Sequence, residues 1–218
     1  MIYLGLTGNI ACGKSSVAAL FEKLGCYSID ADELSRKVMS KGEKAYEQIV
    51  EAFGESVLKE NGELDRPLIK RIVFNDETER KTLESIVHPA ILEAEQKLAG
   101  EIKGKDNKAI IITQAALSVE AGTYKRFDTL IVVYADEKCQ LERLLKRDGI
   151  NRDIAEKMIA SQMHYEEKVK FADFIIDNSG SLESLENEVN RVYSDIKQLI
   201  HAKKQLKKSG ISDFFNQK

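Results

Sequence analysis

The sequence predicts an α/β fold in which a parallel sheet lies between two layers of helices. Two observations lead to this fold class. Short apolar and β-branched runs alternate with segments of helical periodicity, as expected for strands joined by helical crossovers. A glycine-rich stretch, "GNIACGKSS" at residues 8–16, also follows the first apolar run and precedes the first helical segment. Open sheets of this kind bind ligands at the carboxyl ends of their strands, so we expect the site there.

Each element is visible in the pattern of apolar residues. Five runs predict strands at residues 2–7, 27–30, 109–115, 129–134 and 174–177. Two apolar stripes with helical spacing predict amphipathic helices after the glycine-rich stretch and near the C-terminus. Their members are Val17, Leu20, Phe21 and Leu24, and then Leu185, Val189, Val192, Ile196 and Leu199. Residues 34–107 show helical periodicity without a convincing strand, which predicts a helical insertion after the second strand.

Composition excludes several classes of protein. The 218 residues and 43% hydrophobic content suffice for one core, and a net charge of −3 disfavours an extensive nucleic-acid interface. Cys12, Cys26 and Cys139 form no CxxC pair, so we expect neither disulfides nor zinc, and we expect a cytoplasmic protein. The apolar runs are too short for a membrane helix, and the start of the sequence has no signal-peptide pattern.

The glycine-rich stretch matches the phosphate-binding pattern G-x-x-x-x-G-K-[ST]. Gly8 and Gly13 allow backbone N–H groups to point towards phosphate oxygens, and the helix start adds its positive dipole end. Lys14 would reach the β- and γ-phosphates of a nucleotide, and the Ser15 hydroxyl would bind Mg²⁺. The alternative is a tight strand-to-helix turn with a solvated lysine. The flanking strand and helix favour the nucleotide loop.

Cys12 lies inside this loop, close to Lys14 and the helix start. A thiolate is favoured in such a place, which predicts that alkylation of Cys12 blocks nucleotide binding. The alternative is a small, inert side chain.

The stretch "DADELSRKV" at residues 30–38 follows the second strand. Asp30 and Glu33 have the spacing of a capping box, so Asp30 predicts the start of a helix. Asp32 would then lie in the first turn, where a carboxylate could orient a substrate hydroxyl and accept its proton. Alternatively, Asp32 only complements the helix dipole. Arg36, one turn later, could face an anionic substrate or solvent.

Three arginines lie in "CQLERLLKRDGINRD" at residues 139–153, after the fourth strand. Arg143 and Arg147 are four residues apart on one helix face, and Arg152 follows a glycine-containing turn. Arginines on a closing lid could neutralise the charge of a phosphoryl group during transfer. The alternative is a solvated charged face.

Over nearly its whole length the chain resembles the dephospho-coenzyme A kinases, P-loop enzymes similar to nucleoside monophosphate kinases. The resemblance rests on "LTGNIACGKSSVAALFEKLG", "IDADELSRKV", "IVFND", "VHPAI", "RLLKRDGINRDIAEKMIASQM" and "ADFIIDNSG", and on their order and spacing. It implies ATP-dependent phosphorylation of the 3′-hydroxyl of dephospho-coenzyme A, with Mg²⁺, as the last step of coenzyme A synthesis.

The resemblance also implies residue roles. Asp32 matches the family's proposed base, and Asp32, Arg36 and His88 fall in the region that receives the substrate. Lys14, Arg143 and Arg147 would act on the transferred phosphoryl group, and Asn178 lies near the adenine. For His88 the alternative is a helix start before Pro89. ATP contacts are expected from the loop residues Gly8, Ala11, Cys12, Gly13, Lys14, Ser15 and Ser16, and from Arg152 and Asn178.

In this interpretation residues 1–205 form a P-loop kinase domain, and 206–218 form a basic tail. Its core comprises residues 1–33, 108–138 and 166–205, with the substrate-binding insertion at 34–107 and the lid at 139–165.

The chain departs from the family pattern at three places. Residues 115–122, "AALSVEAG", replace a frequent Pro-Leu-Leu-Phe-Glu run, and Gln114 stands where an acidic residue is frequent. Gln114 could weaken metal binding or show that the acid is dispensable. Ala11 and Cys12 replace the usual glycine and serine, which a cradle of backbone N–H groups should tolerate.

Other functions remain as alternatives. A kinase for another nucleotide, such as a nucleoside monophosphate, would carry the same loop. A GTPase would need a late Asn-Lys-x-Asp, which the sequence lacks. The tail stretch "KSGISDFF" resembles a sliding-clamp-binding peptide with Ile211, Phe214 and Phe215 as anchors, but Lys208 replaces the expected glutamine. We instead expect the basic stretch to extend the last helix and the phenylalanines to cover an apolar patch.

Overall fold

The five predicted strands are all present in the computed structural model, which describes residues 1–208. The strands are β1 Ile2–Gly8, β2 Tyr27–Asp30, β3 Ile110–Gln114, β4 Thr129–Tyr134 and β5 Phe174–Asp177, each within one residue of its predicted ends. They form one sheet in the order β2-β3-β1-β4-β5, and the β2–β3, β1–β4 and β4–β5 pairs are parallel. The predicted α/β class with a parallel sheet is confirmed.

Nine α-helices occupy much of the rest of residues 1–208. They are α1 Lys14–Lys23, α2 Ala31–Val38, α3 Lys44–Phe53, α4 Arg66–Asn75, α5 Glu77–Lys105, α6 Glu137–Asp148, α7 Arg152–Ala160, α8 Tyr165–Lys168 and α9 Leu182–Lys208. No helix in this described range is long and apolar enough to cross a membrane.

The chain divides into two compact units. One, here called the helical unit, comprises Met1–Tyr3 and Tyr27–Ala115, and the other, here called the loop unit, comprises Leu4–Cys26 and the chain from Ala116 onward. The predicted boundaries of the insertion and the lid stay predictions.

The helical unit contains β2, β3 and the helices α2 to α5. Aspartates cap three of these helices: the carboxylates of Asp30, Asp65 and Asp76 accept hydrogen bonds from backbone N–H groups in the first turns of α2, α4 and α5. The predicted helix start at Asp30 is therefore confirmed. One core packs α5 against β2 and β3, and a second packs α3, α4 and α5 around Ile49 and Val57.

His88 does not start a helix, and that alternative prediction is wrong. Helix α5 runs through His88 and Pro89 without ending, and His88 is exposed on it. A proline in a helix interior removes one backbone hydrogen bond. Buried residues on both sides of it, Val87 and Ala99, hold the two halves of the helix in the cores, so packing outweighs this loss.

The loop unit contains most of β1, with β4, β5 and the helices α1 and α6 to α9. The α1 stripe is buried as predicted at Val17, Leu20 and Phe21. Four of the five predicted α9 stripe residues are buried, but Leu199 is 47% exposed. Helical spacing continues along α9 up to Leu199, but burial of its apolar face ends at Ile196 among these five residues. Its continuation to Lys208 confirms that the basic stretch extends the last helix, whereas Ile211, Phe214 and Phe215 lie outside the described residues.

Candidate active site

The glycine-rich loop connects β1 to α1, and both of its motif glycines are required by close contacts. A Cβ at Gly8 would lie 2.4 Å from the backbone oxygen of Val133 on the neighbouring strand β4. A Cβ at Gly13 would lie 2.1 Å from Nδ2 of Asn178. Gly13 also has a φ of 89°, a left-handed conformation that residues with a Cβ rarely adopt. Substitution of either glycine therefore has to displace the backbone or a buried amide.

Ala11 is a non-glycine residue in the left-handed region, with a φ of 56°. The family resemblance implies glycine as the usual residue at this position, and a positive φ is a conformational reason for it. Alanine accepts this conformation at a cost of about 1–2 kcal/mol.

The start of α1 has the properties of an anion-binding site. No side chain caps this helix, so backbone N–H groups of its first turn have no capping partner among the described residues. The Lys14 ammonium lies over the loop and donates to the backbone oxygens of Gly8 at 2.9 Å and Asn9 at 3.4 Å. Ser15 and Ser16 are exposed in the first turn. These donors and the helix dipole favour a bound phosphate.

Two residues from distant parts of the chain support the loop from the α6 and β5 side. Asn178, which is buried just after β5, donates from Nδ2 to the Cys12 oxygen at 2.8 Å. The Arg143 guanidinium of α6 donates to the backbone oxygen of Asn178 at 2.7 Å and lies 3.5 Å from the oxygens of Ala11 and Cys12. These contacts satisfy loop carbonyls, so the uncapped N–H groups at the start of α1 do not have to serve them.

The segment between α7 and α8 supports the beginning of the loop. The Gln162 side-chain oxygen accepts from the Ile10 N–H at 2.6 Å, and the Asn9 amide donates to the Met163 oxygen at 3.1 Å. The start of the loop is thus connected to the end of the predicted lid.

An ion pair with a buried lysine lies beside the loop. The Lys168 side chain is fully buried, and its ammonium contacts a Glu120 carboxylate oxygen at 2.9 Å and the Ala116 backbone oxygen at 3.2 Å. The same Ala116 oxygen accepts from the Thr7 hydroxyl, one residue before Gly8. Residues 116–120 are thereby attached to the end of β1. They belong to the stretch that departs from the family's Pro-Leu-Leu-Phe-Glu run, so this chain stabilises that segment through an ion pair.

Cys12 is a buried thiol, so the predicted thiolate is wrong. Its side chain is 1% exposed, and burial raises its pKa even though Lys14, Lys168 and Arg143 act in the opposite direction. A charged sulfur loses more hydration energy on burial than the nearby cations return. The alternative of an inert side chain agrees with the structure.

The other two predicted lid arginines form exposed ion pairs. Arg147 contacts the neighbouring Asp148 at 2.6 Å, which raises the pKa of the Arg147 guanidinium and lowers that of Asp148. Arg152 contacts Glu156 at 2.7 Å within α7. Of the three, only Arg143 contacts the glycine-rich loop in the described contacts. Exposed pairs of this kind are weak enough to exchange for a ligand.

Asp32, Arg36 and His88 belong to the helical unit. Asp32 and Arg36 lie one turn apart on α2, and both are exposed. The Asp32 N–H donates to the Asp30 cap at 2.9 Å. Gln114 ends β3 opposite Asp30 in the strand register and donates from Nε2 to the Ser28 hydroxyl at 3.1 Å. Within this unit the structure therefore brings Asp32 and Arg36 onto one helix face.

Sequence reasoning missed the residues that support the loop. Gln162, Lys168 and Glu120 are polar residues without a motif, and their partners are more than 45 positions away along the chain. Asn178 and Arg143 are predicted site residues, but for other roles. No local pattern indicates such contacts, because they arise from the order of the strands.

Comparison with known proteins identifies the family of this chain. The model of the dephospho-CoA kinase family matches residues 2–184. A dephospho-CoA kinase of Aquifex aeolicus is 44% identical over 193 residues, covering 88% of this chain and 96% of that protein. A solved structure from Thermus thermophilus has a TM-score of 0.76 at 32% identity, covering 89% of this chain and 97% of its own. A dephospho-CoA kinase from Campylobacter jejuni has a TM-score of 0.64 at 33% identity, covering 90% and 97%. This chain belongs to the dephospho-CoA kinase family.

Proposed function

We propose that the protein transfers the γ-phosphoryl group of ATP to the 3′-hydroxyl of dephospho-coenzyme A, giving coenzyme A and ADP. The observation that carries the proposal is the family match over residues 2–184, within which the glycine-rich loop has the geometry of a phosphate site. The sequence predicts that the reaction takes place in the cytoplasm.

We assign ATP binding to the loop of residues 8–16. Backbone N–H groups at the start of α1 bind phosphate oxygens, and Lys14 leaves the Gly8 oxygen to contact the β- and γ-phosphates. Arg143 already lies beside the loop. We assign Arg143 and Arg147 to the phosphoryl group during transfer, Arg147 after its guanidinium has left Asp148. Arg152 and Asn178 are also assigned to contact the bound nucleotide, as the family resemblance implies.

Mg²⁺ fits this site as an ion with few protein ligands. No group of three potential acidic, histidine or cysteine ligands occurs among the described residues, whereas the Ser15 hydroxyl is exposed at the helix start. Mg²⁺ commonly takes one or two protein oxygens and completes its shell with phosphates and water. Ser15 would hold the ion, which would neutralise phosphate charge.

Asp32 is the proposed base. The 3′-oxygen attacks the γ-phosphorus, the bond from that phosphorus to the β–γ bridging oxygen breaks, and the hydroxyl proton passes to the Asp32 carboxylate. The exposed position of Asp32 leaves it accessible to a substrate. His88 is exposed on α5 in the same unit and keeps its assignment to the substrate.

Replacing Asp32 tests the assignment of the base. Asp32→Asn should lower kcat by about 10²–10⁴-fold, because the amide cannot accept the proton, while the Kd for ATP changes little. Kinetics and ATP titration of the variant measure the two effects. Glu33→Gln, in the same exposed turn, is the matched control and should keep its activity. Near-normal turnover of Asp32→Asn would remove Asp32 from this role.

The choice of acceptor has its own experiment. ATP consumption is measured with dephospho-coenzyme A and with a panel of nucleoside monophosphates. Turnover confined to dephospho-coenzyme A is expected. Faster turnover of a monophosphate would overturn the proposed function and support the alternative kinase.

A further inference from the structure

We infer that Arg66, together with Arg36, forms the subsite that binds the diphosphate of the acceptor. The inference rests on the proposed function, because it concerns how the same substrate is recognised. It starts from a contact that neither the sequence motifs nor the family match assigns: the Arg66 guanidinium donates from Nη2 to the backbone oxygen of Arg36 at 2.8 Å.

The contact places the Arg66 guanidinium against the backbone of Arg36, in the last turn of α2. Arg66 is the first residue of α4, thirty positions after Arg36, and both side chains are exposed. Neither guanidinium forms an ion pair within the described part of the chain, in contrast to Arg147, Arg152 and Arg191. Asp65, the nearest acid in sequence, is engaged as the cap of α4 through the Leu68 N–H.

The pair has the donors that a diphosphate requires. A guanidinium has five N–H donors in a planar fork suited to two phosphate oxygens, and Arg66 uses one of them for the Arg36 oxygen. The Arg36 oxygen also accepts from the Ser40 hydroxyl at 3.0 Å, which fixes the backbone at this point. Two cations without an ion-pair partner among the described residues, one of them bound to the backbone of the other, favour an anion with more than one charge.

The position relative to Asp32 indicates which anion binds. Asp32 and Arg36 lie four residues apart on one face of α2, about 6 Å along the helix axis. In dephospho-coenzyme A the 3′-hydroxyl and the 5′-diphosphate are attached to the same ribose. An acceptor whose 3′-hydroxyl meets Asp32 can therefore extend its diphosphate along α2 towards Arg36 and Arg66. This subsite would select a nucleoside 5′-diphosphate derivative over a nucleoside.

A purely structural role for Arg66 is the competing explanation. A cation at the C-terminal end of α2 also stabilises the carbonyl groups of its last turn. In that case, loss of Arg66 would destabilise the protein and affect every acceptor equally. A diphosphate contact would affect only acceptors that carry the diphosphate.

The experiment compares two acceptors with the same hydroxyl group. Arg66→Gln, Arg66→Lys and Arg36→Gln are assayed with dephospho-coenzyme A and with adenosine, which has the 3′-hydroxyl but no diphosphate. Arg66→Gln should raise the KM for dephospho-coenzyme A by about ten- to a hundredfold, with the KM for ATP and the kcat/KM for adenosine unchanged. Arg66→Lys should recover part of the loss, because it keeps the charge but not the fork. Titration of each variant with dephospho-coenzyme A, without ATP, gives the affinity even if turnover of adenosine is too slow to measure.

Lys37→Gln is the matched control. Lys37 is an exposed cation adjacent to Arg36, but it points about 100° away and lines a groove with Leu34 and Val38, so its loss should leave all constants unchanged. Equal losses for both acceptors, or unchanged affinity for dephospho-coenzyme A in Arg66→Gln, would overturn the subsite. Failure of the wild-type protein to phosphorylate dephospho-coenzyme A would instead overturn the proposed function, and that result is independent of the variants.

Discussion

Close contacts determine which residues can occupy the glycine-rich loop, as much as the chemistry of phosphate binding does. Gly13 faces the buried amide of Asn178, and Gly8 faces the backbone of β4, so the two glycines are held by different neighbours. Cys12 lies between them as a neutral thiol. At the scale of single residues, the backbone conformation gives the loop its shape. The Lys14 ammonium is the charged group within the loop.

Replacement of Gly13 tests whether this backbone geometry is required for ATP binding. Gly13→Ala is expected to destabilise the fold by about 1–3 kcal/mol and to abolish ATP binding, because the new Cβ displaces Asn178 and strains the backbone. Urea unfolding and ATP titration measure the two effects. Gly100→Ala is the control, since Gly100 lies in α5 with open space around it, and it should stabilise the protein slightly. Normal ATP affinity in Gly13→Ala would contradict the role of this contact.

Among the elements, the segment containing α8 connects several parts of the loop unit. Gln162 and Met163 contact the loop, and Lys168 connects α8 to residues 116–120. The connection through Lys168 depends on a buried ammonium, which is stable only when it has an ion-pair partner.

Loss of the Lys168 ammonium should therefore be costly. Lys168→Met is expected to lower the free energy of unfolding by about 1–3 kcal/mol, because the Glu120 carboxylate, 24% exposed, and the Ala116 oxygen both lose the charged donor. The double variant Lys168→Met with Glu120→Gln should recover part of this loss. Lys170→Met breaks an exposed pair with Glu167 and should cost about 1 kcal/mol or less. A similar effect of the two lysine variants in urea unfolding would show that the Lys168 pair is not buried in solution.

For the whole molecule, burial of thiols makes stability depend on pH. Burial raises the pKa of Cys26 to about 12, and it also raises that of Cys12. Above the ordinary thiol pKa of about 8.5 the unfolded chain releases these protons while the folded chain retains them. The unfolded state then binds fewer protons than the folded state. The free energy of unfolding is therefore unaffected below the ordinary thiol pKa and falls as the pH rises towards 12.

Cys26→Ala should reduce this decline. In the wild-type protein each buried thiol lowers the free energy of unfolding by up to about 1.4 kcal/mol per pH unit above pH 9. The variant should show a shallower decline, because the contribution of Cys26 is absent. Urea unfolding at intervals from pH 8 to 10 measures the slope. An identical slope in both proteins would mean that Cys26 ionises in the folded state as it does in the unfolded one.

The strands, the loop, the cap at Asp30 and the family follow from local patterns of neighbouring residues, so they could be predicted without a structure. Periodicity revealed the buried faces of α1 and most of α9, and the spacing of glycines and lysine predicts the phosphate site. Sequence reasoning was wrong about the thiolate at Cys12, the helix start at His88 and the burial of Leu199, where packing decides the outcome. The folded arrangement was needed to show that Cys12 stays protonated, that α5 continues through Pro89 and that Lys168 is buried. It also decided that Arg66 reaches Arg36. The physical reason is that desolvation and long-range contacts depend on which distant segments pack together, and the order of the strands sets that packing.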